Sequence, residues 1–431
     1  MTKLGLGICG LGTVGAGVVN VLQRNKAAID ARAGCSIVVE HVGARRDNPD
    51  CVLDGIKISR DIFEVVDNPD VDVVVELIGG YEPARELVLR AIANGKHVVT
   101  ANKALIAVHG DELAVAAANK GVALCFEASV AGGIPVIKAL REGLAANSVE
   151  WLAGIINGTG NYILSEMRDK ERAFADVLAD AQALGYAEAD PAFDIEGTDA
   201  AHKLTILASL AFAMPLAFDQ CYTQGITAIE IQDIRFADEL GYRIKHLGIA
   251  RRQGSSVELR VHPTLVPQGR LLANVDGVMN AVLIKGDAVG PTLYYGAGAG
   301  AEPTASAVLA DVIDIARSLG SAGILDSGIS SNTNAQADIM PMGQVETAYY
   351  LRLNAEDKAG VLNKITRVLS DANISIEAMK QPEPIVGAAD VPIVLVTNIS
   401  CEKNMLAAIN DIETLDEVSG AVTFIRIESL G

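Results

Sequence analysis

The sequence predicts an α/β protein of more than one domain: a doubly wound parallel sheet, an α+β domain, and a ferredoxin-like βαββαβ unit at the C-terminus. Three observations carry this. The chain has 431 residues, too many for one ordinary core and enough for about three units at roughly 150 residues each. Over the first 130 residues, short β-branched runs alternate with longer stretches of helical apolar spacing, the pattern of βαβ units and a parallel sheet. After Thr347 the order becomes strand, helix, strand, strand, helix, strand, which is the βαββαβ arrangement.

Taken in order, strands are expected at residues 4–9, 37–43, 71–77, 97–100 and 122–126, with helices at 14–25, 82–94 and 103–119 between them. Past Gly132 the alternation stops. Helices are expected at 135–144, 162–168, 172–184 and 200–213, and strands at 242–250, 257–262 and 277–285. The glycine-rich strip Gly296 to Gly300 leads through Glu302, Pro303 and Thr304 into an apolar helix at 305–319, with Pro in its first turn. In the last unit strands are expected at 348–353, 391–397 and 421–427, with helices at 361–371 and 404–412 and a further strand between the first helix and 391. The boundaries that follow are 1–130 for the first domain, with 303–320 returning to it, 131–302 for the second, 321–345 as a Ser, Gly and Asn-rich linker, and 346–431 for the third.

A net charge of −19 opposes attraction to nucleic acid or anionic lipid, which are themselves negative, so neither is an expected partner. An anionic cofactor must then be held by a local cluster of cations and backbone amides. The six cysteines are scattered, without a C-x-x-C pair or a His at ligand spacing, and read as small buried residues of a reduced protein. The N-terminus lacks the apolar core of a signal peptide, and no run reaches the ~18 apolar residues of a membrane span. The expected location is the cytoplasm.

Gly10-Leu11-Gly12-Thr13-Val14-Gly15 follows an expected strand and opens an expected helix. In that context a G-x-G-x-x-G is a dinucleotide fingerprint: the glycines allow a tight turn and close backbone approach, and the pyrophosphate rests on the helix N-terminus. The domain is thus of Rossmann type. After the second strand come Arg45 and Arg46, whose planar guanidiniums suit a 2′-phosphate. NADPH is expected, with Asp47 leaving NAD open.

Several runs are more specific: ELIGGYEP from Glu76 to Pro83, VVTANK from Val98 to Lys103, NGTGNY from Asn157 to Tyr162, GYAEADP from Gly185 to Pro191, then Asp194 and GTDAAHK from Gly197 to Lys203. Together, in this order and over nearly the whole chain, they resemble the homoserine dehydrogenases. With the nucleotide motif at the very start, the resemblance is to the monofunctional bacterial type. It implies reversible reduction of L-aspartate 4-semialdehyde to L-homoserine, in threonine, methionine and isoleucine biosynthesis. Lys203 would be the proton donor. Lys103 would lie beside nicotinamide and substrate, and Asp199, Glu188 and Asp194 would hold substrate or orient the lysines, with Gly158, Thr159 and Tyr186 adding contacts. The chemistry fits these residue types: hydride delivery to an aldehyde creates an alkoxide that needs a cation or acid beside it, and the substrate's ammonium needs carboxylates.

The resemblance also implies a sodium or potassium site at Glu127, Val130, Gly132 and Ile134, held largely by carbonyl oxygens; a glycine hinge between domains is the alternative. Gly300 either touches cofactor or leads into the helix after it. The stretch from Asn354 to Leu362 resembles the start of an ACT domain, although Ala359 stands where many relatives have Pro. Such domains pair across a homodimer or homotetramer and bind an amino acid, here L-threonine, or serve dimerisation alone. Two other functions remain open: a dehydrogenase for another small amino-acid aldehyde or keto acid, and a catalytically silent sensor, against which Lys103 and Lys203 both argue.

Overall fold

The computed structural model describes residues 3–187, 190–319, 326–329, 338–382 and 390–430. Glu188 and most of the expected linker lie outside the described residues. The chain forms two compact units that interleave along the sequence: 1–158 with 199–221 and 278–338, and 159–198 with 222–277 and 339–431.

The first unit opens with β1 (Lys3–Cys9), α1 (Thr13–Arg24), α2 (Lys26–Ala33), β2 (Ser36–Gly43), β3 (Lys57–Ser59), α3 (Phe63–Asp67), β4 (Val73–Glu76), α4 (Ala84–Ala93), β5 (His97–Thr100), α5 (Lys103–Lys120) and β6 (Leu124–Cys125). The strands pair in the order β3-β2-β1-β4-β5-β6, all parallel, the dinucleotide-binding order with its switch point between β1 and β4. Leu6, Ile8, Val73 and Val75 are fully buried, as strands covered by helices on both faces require. Sequence pattern misses β3, α2 and α3, which are too short to show a period.

The helix Ala301–Ser318 packs its Ala305, Val308, Val312 and Ile315 into the same core as Leu6, Ile8, Val18 and Leu22. Its entry is tight: a Cβ on Gly17 of α1 would stand 2.5 Å from the carbonyl oxygen of Ala301. The rest of this unit includes an antiparallel trio, Gly290–Ala297, Met279–Gly286 and Val149–Ile155, and the helix Thr198–Phe212. That helix buries Ala200, Ala201, Leu204, Ile206, Leu207 and Ala208. A helix apolar on nearly every side belongs inside, and this one carries Asp199, His202 and Lys203 in with it. The strands 149–155 and 290–297 were not apparent in the sequence, since neither alternates cleanly between apolar and polar.

In the second unit a sheet, with Tyr222–Thr223 also pairing with Ser256–Pro267, runs in the order Tyr242–Gln253, Ser256–Pro267, Val418–Ile427, Glu346–Glu356, Asp390–Thr397 and Ile376–Lys380. The last four, with the helices Val361–Asp371 and Glu402–Glu413, make the βαββαβ unit, all neighbours antiparallel. Val418–Ile427 also pairs parallel with Ser256–Pro267 through Thr264 and Leu265, so the C-terminal module continues the sheet of the segment before it. Buried ion pairs link separate elements of this unit. The Arg352 guanidinium donates to both Asp233 oxygens at 2.6 and 3.0 Å, and Tyr350 adds its hydroxyl at 3.1 Å. Arg260 donates to Glu258 at 2.8 Å and Glu428 at 2.5 Å.

Removing one member of such a pair strands a buried charge, whereas removing both is nearly neutral. Arg352→Leu should lower the unfolding free energy by about 3 to 5 kcal/mol, and Asp233→Leu with Arg352→Leu should recover most of that loss. Chemical denaturation of the three proteins measures it.

Candidate active site

At the carboxyl end of β1 the chain turns at Gly10, φ 105°, where a Cβ would lie 2.7 Å from the carbonyl oxygen of Leu77. At Gly15 a Cβ would come within 2.2 Å of the Gly10 carbonyl oxygen. At Gly12, by contrast, it would meet nothing within 4 Å: this glycine faces open space, and it precedes α1, which no side chain caps. A helix start of this kind receives an anion. The space is a cleft of about 910 Å³ lined on one side by Gly10, Gly12 and Leu77 to Gly79 and on the other by Ala44, Arg45, Arg46 and Arg60. Arg45 and Arg46 are exposed toward solvent. Arg60 donates to the Ala44 carbonyl at 3.1 Å and to Asp47 at 2.7 Å, so the carboxylate that left NAD open is paired with a cation. Of the cofactor contacts expected from sequence, Gly10, Gly12, Arg45 and Arg46 line this cleft; Thr13, Val14 and Gly15 form the first turn of α1 behind it, and Lys103 and Gly300 are not in its lining.

The loop after β4 is organised by a buried carboxylate. Glu76 accepts from the amides of Ile78 and Gly79 at 2.8 and 3.1 Å and from the Thr100 hydroxyl at 2.5 Å. Burial raises its pKa against the pull of these donors. Asn102 ties the same loop to the start of α5: its amide donates to the Gly80 carbonyl at 2.7 Å and its oxygen accepts from Leu105 N at 3.1 Å. Lys103, the next residue, begins α5.

Three expected catalytic residues meet. Lys203 Nζ donates to Asp199 Oδ2 and to the Ile156 carbonyl, both at 2.7 Å, and Lys103 Nζ lies 3.0 Å from Asp199 Oδ1. Asn157 donates to Asp199 Oδ2 at 2.8 Å. Asp199 and Lys203 are one helical turn apart, so spacing along one face makes this pair. Burial alone would raise the Asp199 pKa, but the charges of Lys203 and Lys103 and the hydrogen bonds from Lys203 and Asn157 outweigh it and hold the carboxyl well below its usual range. Gly158 follows at the helix start, where a Cβ would stand 2.8 Å from the Val278 carbonyl oxygen.

Thr159, Tyr186 and Asp194 belong to the second compact unit. Thr159 donates its hydroxyl to the Tyr186 carbonyl at 2.7 Å, and Tyr186 meets Tyr162 edge-on at 5.0 Å. Asp194 is half-buried in the short helix Ala192–Ile195. In the 127–134 segment, the carboxylate oxygens of Glu127 accept from the amides of Ile137 and Lys138, at 2.9 and 2.8 Å. Asp311 accepts from the Glu127 amide at 2.9 Å, and burial beside the Glu127 charge pushes its pKa to about 7. Ala131 and Gly132 are both left-handed, and a Cβ on Gly132 would strike the Gly298 carbonyl oxygen at 2.5 Å. Among the described residues no group of three His, Cys, Asp or Glu side chains could hold a metal, and no helix is long and apolar enough to cross a membrane.

The chain that carries this cleft and this pair of lysines on one buried carboxylate is similar to known proteins. A homoserine dehydrogenase family model matches residues 135–313, a homoserine dehydrogenase NAD-binding domain matches 10–127, and an ACT domain matches 349–417. The homoserine dehydrogenase of Pseudomonas aeruginosa is 58% identical over 433 residues, with 100% of both chains covered. The chain belongs to the homoserine dehydrogenase family. A crystal structure of the homoserine dehydrogenase from Thiobacillus denitrificans agrees with a TM-score of 0.95 at 58% identity, over 100% of this chain and 99% of that one. One from S. aureus gives 0.78 at 31%, over 99% of each.

The activity is therefore that of homoserine dehydrogenase, an oxidoreductase whose first sheet is a nicotinamide-dinucleotide domain. Several site residues of this homoserine dehydrogenase carried no assignment from sequence: Asn157, which shares Asp199 with the lysines; Arg60, which completes the cleft; Glu76; and His202. The first and third lie inside family runs, a signal that was present. His202 also stands in such a run, GTDAAHK; Arg60 had no such signal, because only the fold brings it there.

Asp199→Asn should lower kcat by about a hundredfold or more, since it releases both lysines. It should also flatten acid denaturation. A carboxylate whose folded pKa is depressed contributes stability above its unfolded value, near pH 4, and loses it as pH falls toward the folded one. Unfolding measured from about pH 6 to 3 should fall more steeply in the wild type than in the variant.

Proposed function

We propose that this homoserine dehydrogenase interconverts L-aspartate 4-semialdehyde and L-homoserine with NADP(H), in the cytoplasm, on the path to threonine, methionine and isoleucine. The observation that carries the reading is the Lys103, Asp199 and Lys203 cluster, two ammonium groups within 3.0 Å of one buried carboxylate. The cofactor would lie along Gly10 to Gly15, with Gly12's open face toward the pyrophosphate and Arg45, Arg46 and Arg60 toward the 2′-phosphate. Bound there, the nicotinamide supplies or accepts the hydride.

Lys203 would give its proton to the carbonyl oxygen as it becomes an alkoxide, and take it back in the reverse direction. Asp199 keeps its carboxylate ionised, so it holds Lys203 by charge and direction and shares that role with Asn157. Lys103, a third exposed along its side chain, would face the nicotinamide and substrate. Glu188 and Asp194 would take the substrate ammonium, while Gly158, Thr159 and Tyr186 would contact the rest. A potassium or sodium site would sit at Glu127, Val130, Gly132 and Ile134, around the left-handed turn at Ala131 and Gly132. L-Threonine would regulate through the ACT domain, taken as 346–431 after a 321–345 linker. The nucleotide domain would be 1–130 with 303–320, the substrate domain 131–302, and the assembly a homodimer or homotetramer.

Absorbance at the nicotinamide band tests this. With L-homoserine the wild type should reduce NADP faster than NAD, potassium should raise the rate, and L-threonine should lower it. Lys203→Ala should lose about a hundredfold to ten-thousandfold in kcat. Normal turnover by Lys203→Ala with an unchanged fold would remove Lys203 as the proton donor.

A further inference from the structure

Between the nucleotide cleft and the lysine cluster lies one loop, the segment joining β4 to α4. Leu77, Ile78 and Gly79 at its start and Glu82 and Pro83 at its end line the cleft. Tyr81, two residues before Pro83, makes a different contact: its hydroxyl lies 3.4 Å from Nε2 of His202. His202 stands immediately before Lys203 and three residues after Asp199 on the same helix, and it is buried, with its ring 4.2 Å from that of Phe218. Tyr81 meets the ring of His109 edge-on at 6.0 Å. The distance of 3.4 Å is at the upper end of hydrogen-bond reach.

Other contacts tie the loop to its surroundings. Glu76 fixes the amides of Ile78 and Gly79, and Asn102 fixes the Gly80 carbonyl, while Gly79 and Gly80 both adopt φ 74°, a pair with few steric limits of its own. Beyond Gly80, Tyr81 is where the loop reaches the catalytic helix. Burial, together with the charges of Lys103 and Lys203 and against that of Asp199, pulls the His202 pKa down to about 4. At neutral pH the imidazole is therefore uncharged, and its Nε2 can accept the Tyr81 hydroxyl proton.

We propose that Tyr81 and His202 are a positioning pair: their hydrogen bond locks the wall of the cofactor cleft to the helix that carries Lys203. It sets the hydride donor and the proton donor in register. This rests on the reading of Lys203 as proton donor. Neither residue touches the reacting atoms; each acts by alignment, and misplacement of a site by a fraction of an ångström is enough to slow a reaction.

Tyr81→Phe removes one oxygen from a half-exposed ring, so the variant keeps the fold. Its kcat should fall about fivefold, the weight of one neutral hydrogen bond, with the KM for L-homoserine unchanged. His202→Leu should fall equally, and His202→Gln, whose Oε1 reaches where Nε2 stands, should regain most of the rate. Tyr81→Phe with His202→Leu should be no slower than either single variant. An unchanged kcat in Tyr81→Phe, or losses that multiply in the double variant, would overturn the pair. A second readout does not depend on turnover: NMR titration of His202 in Tyr81→Phe should show its pKa raised by about half a unit, because the neutral ring has lost its donor. A titration identical to wild type would also overturn the pair. A wild type silent toward L-homoserine would instead count against the proposed function, and the titration alone would then decide the pair.

Discussion

Asp199 is the constraint on which the site depends. Carboxylates are seldom buried, and one placed in an apolar helix would be protonated were it alone. Lys203 from its own helix, Lys103 from the start of α5 and Asn157 from the end of a strand all converge on it, and each arrives by a different route through the fold. The cluster carries two positive charges against one negative. That surplus favours an oxygen that becomes negative during reaction. Burial, with the charges of Lys103 and Lys203 and against that of Asp199, holds His202 neutral beside the cluster.

Getting those routes to converge demands close backbone approach. Gly17 admits the entry of the helix Ala301–Ser318, Gly158 admits Val278, and Gly132 admits Gly298. At each point a methyl group would collide with main chain, which cannot yield as a flexible side chain would. The glycine-rich runs are thus contact points as much as turns. The helix from Ala301 closes the core of the nucleotide sheet although about 175 residues separate it from β6.

The second unit solves a different problem. Its βαββαβ module is joined edgewise, by a parallel pairing, to the strands that precede it. Arginines 260, 352 and 426 are buried on carboxylates within the sheet and its helices. Buried ion pairs contribute little net stability, yet they tolerate few alternative partners. They select one packing of a module whose topology alone is common to many proteins.

Much was legible in the sequence, for a physical reason. Helical and strand periods are local, so the alternation of the first domain and the βαββαβ order of the last were readable from apolar spacing. The nucleotide loop was readable because its glycines follow a strand and open a helix, and Asp199 with Lys203 because both stand in a run that resembles the homoserine dehydrogenases. What only the tertiary structure decided is whatever depends on distance through space. Short elements such as β3 have no period to read. Arg60 reaches Asp47 across 13 residues, Asn157 reaches Asp199 across 42, and Tyr81 reaches His202 across 121. No spacing rule spans such intervals, because the intervening chain has to fold before these side chains become neighbours.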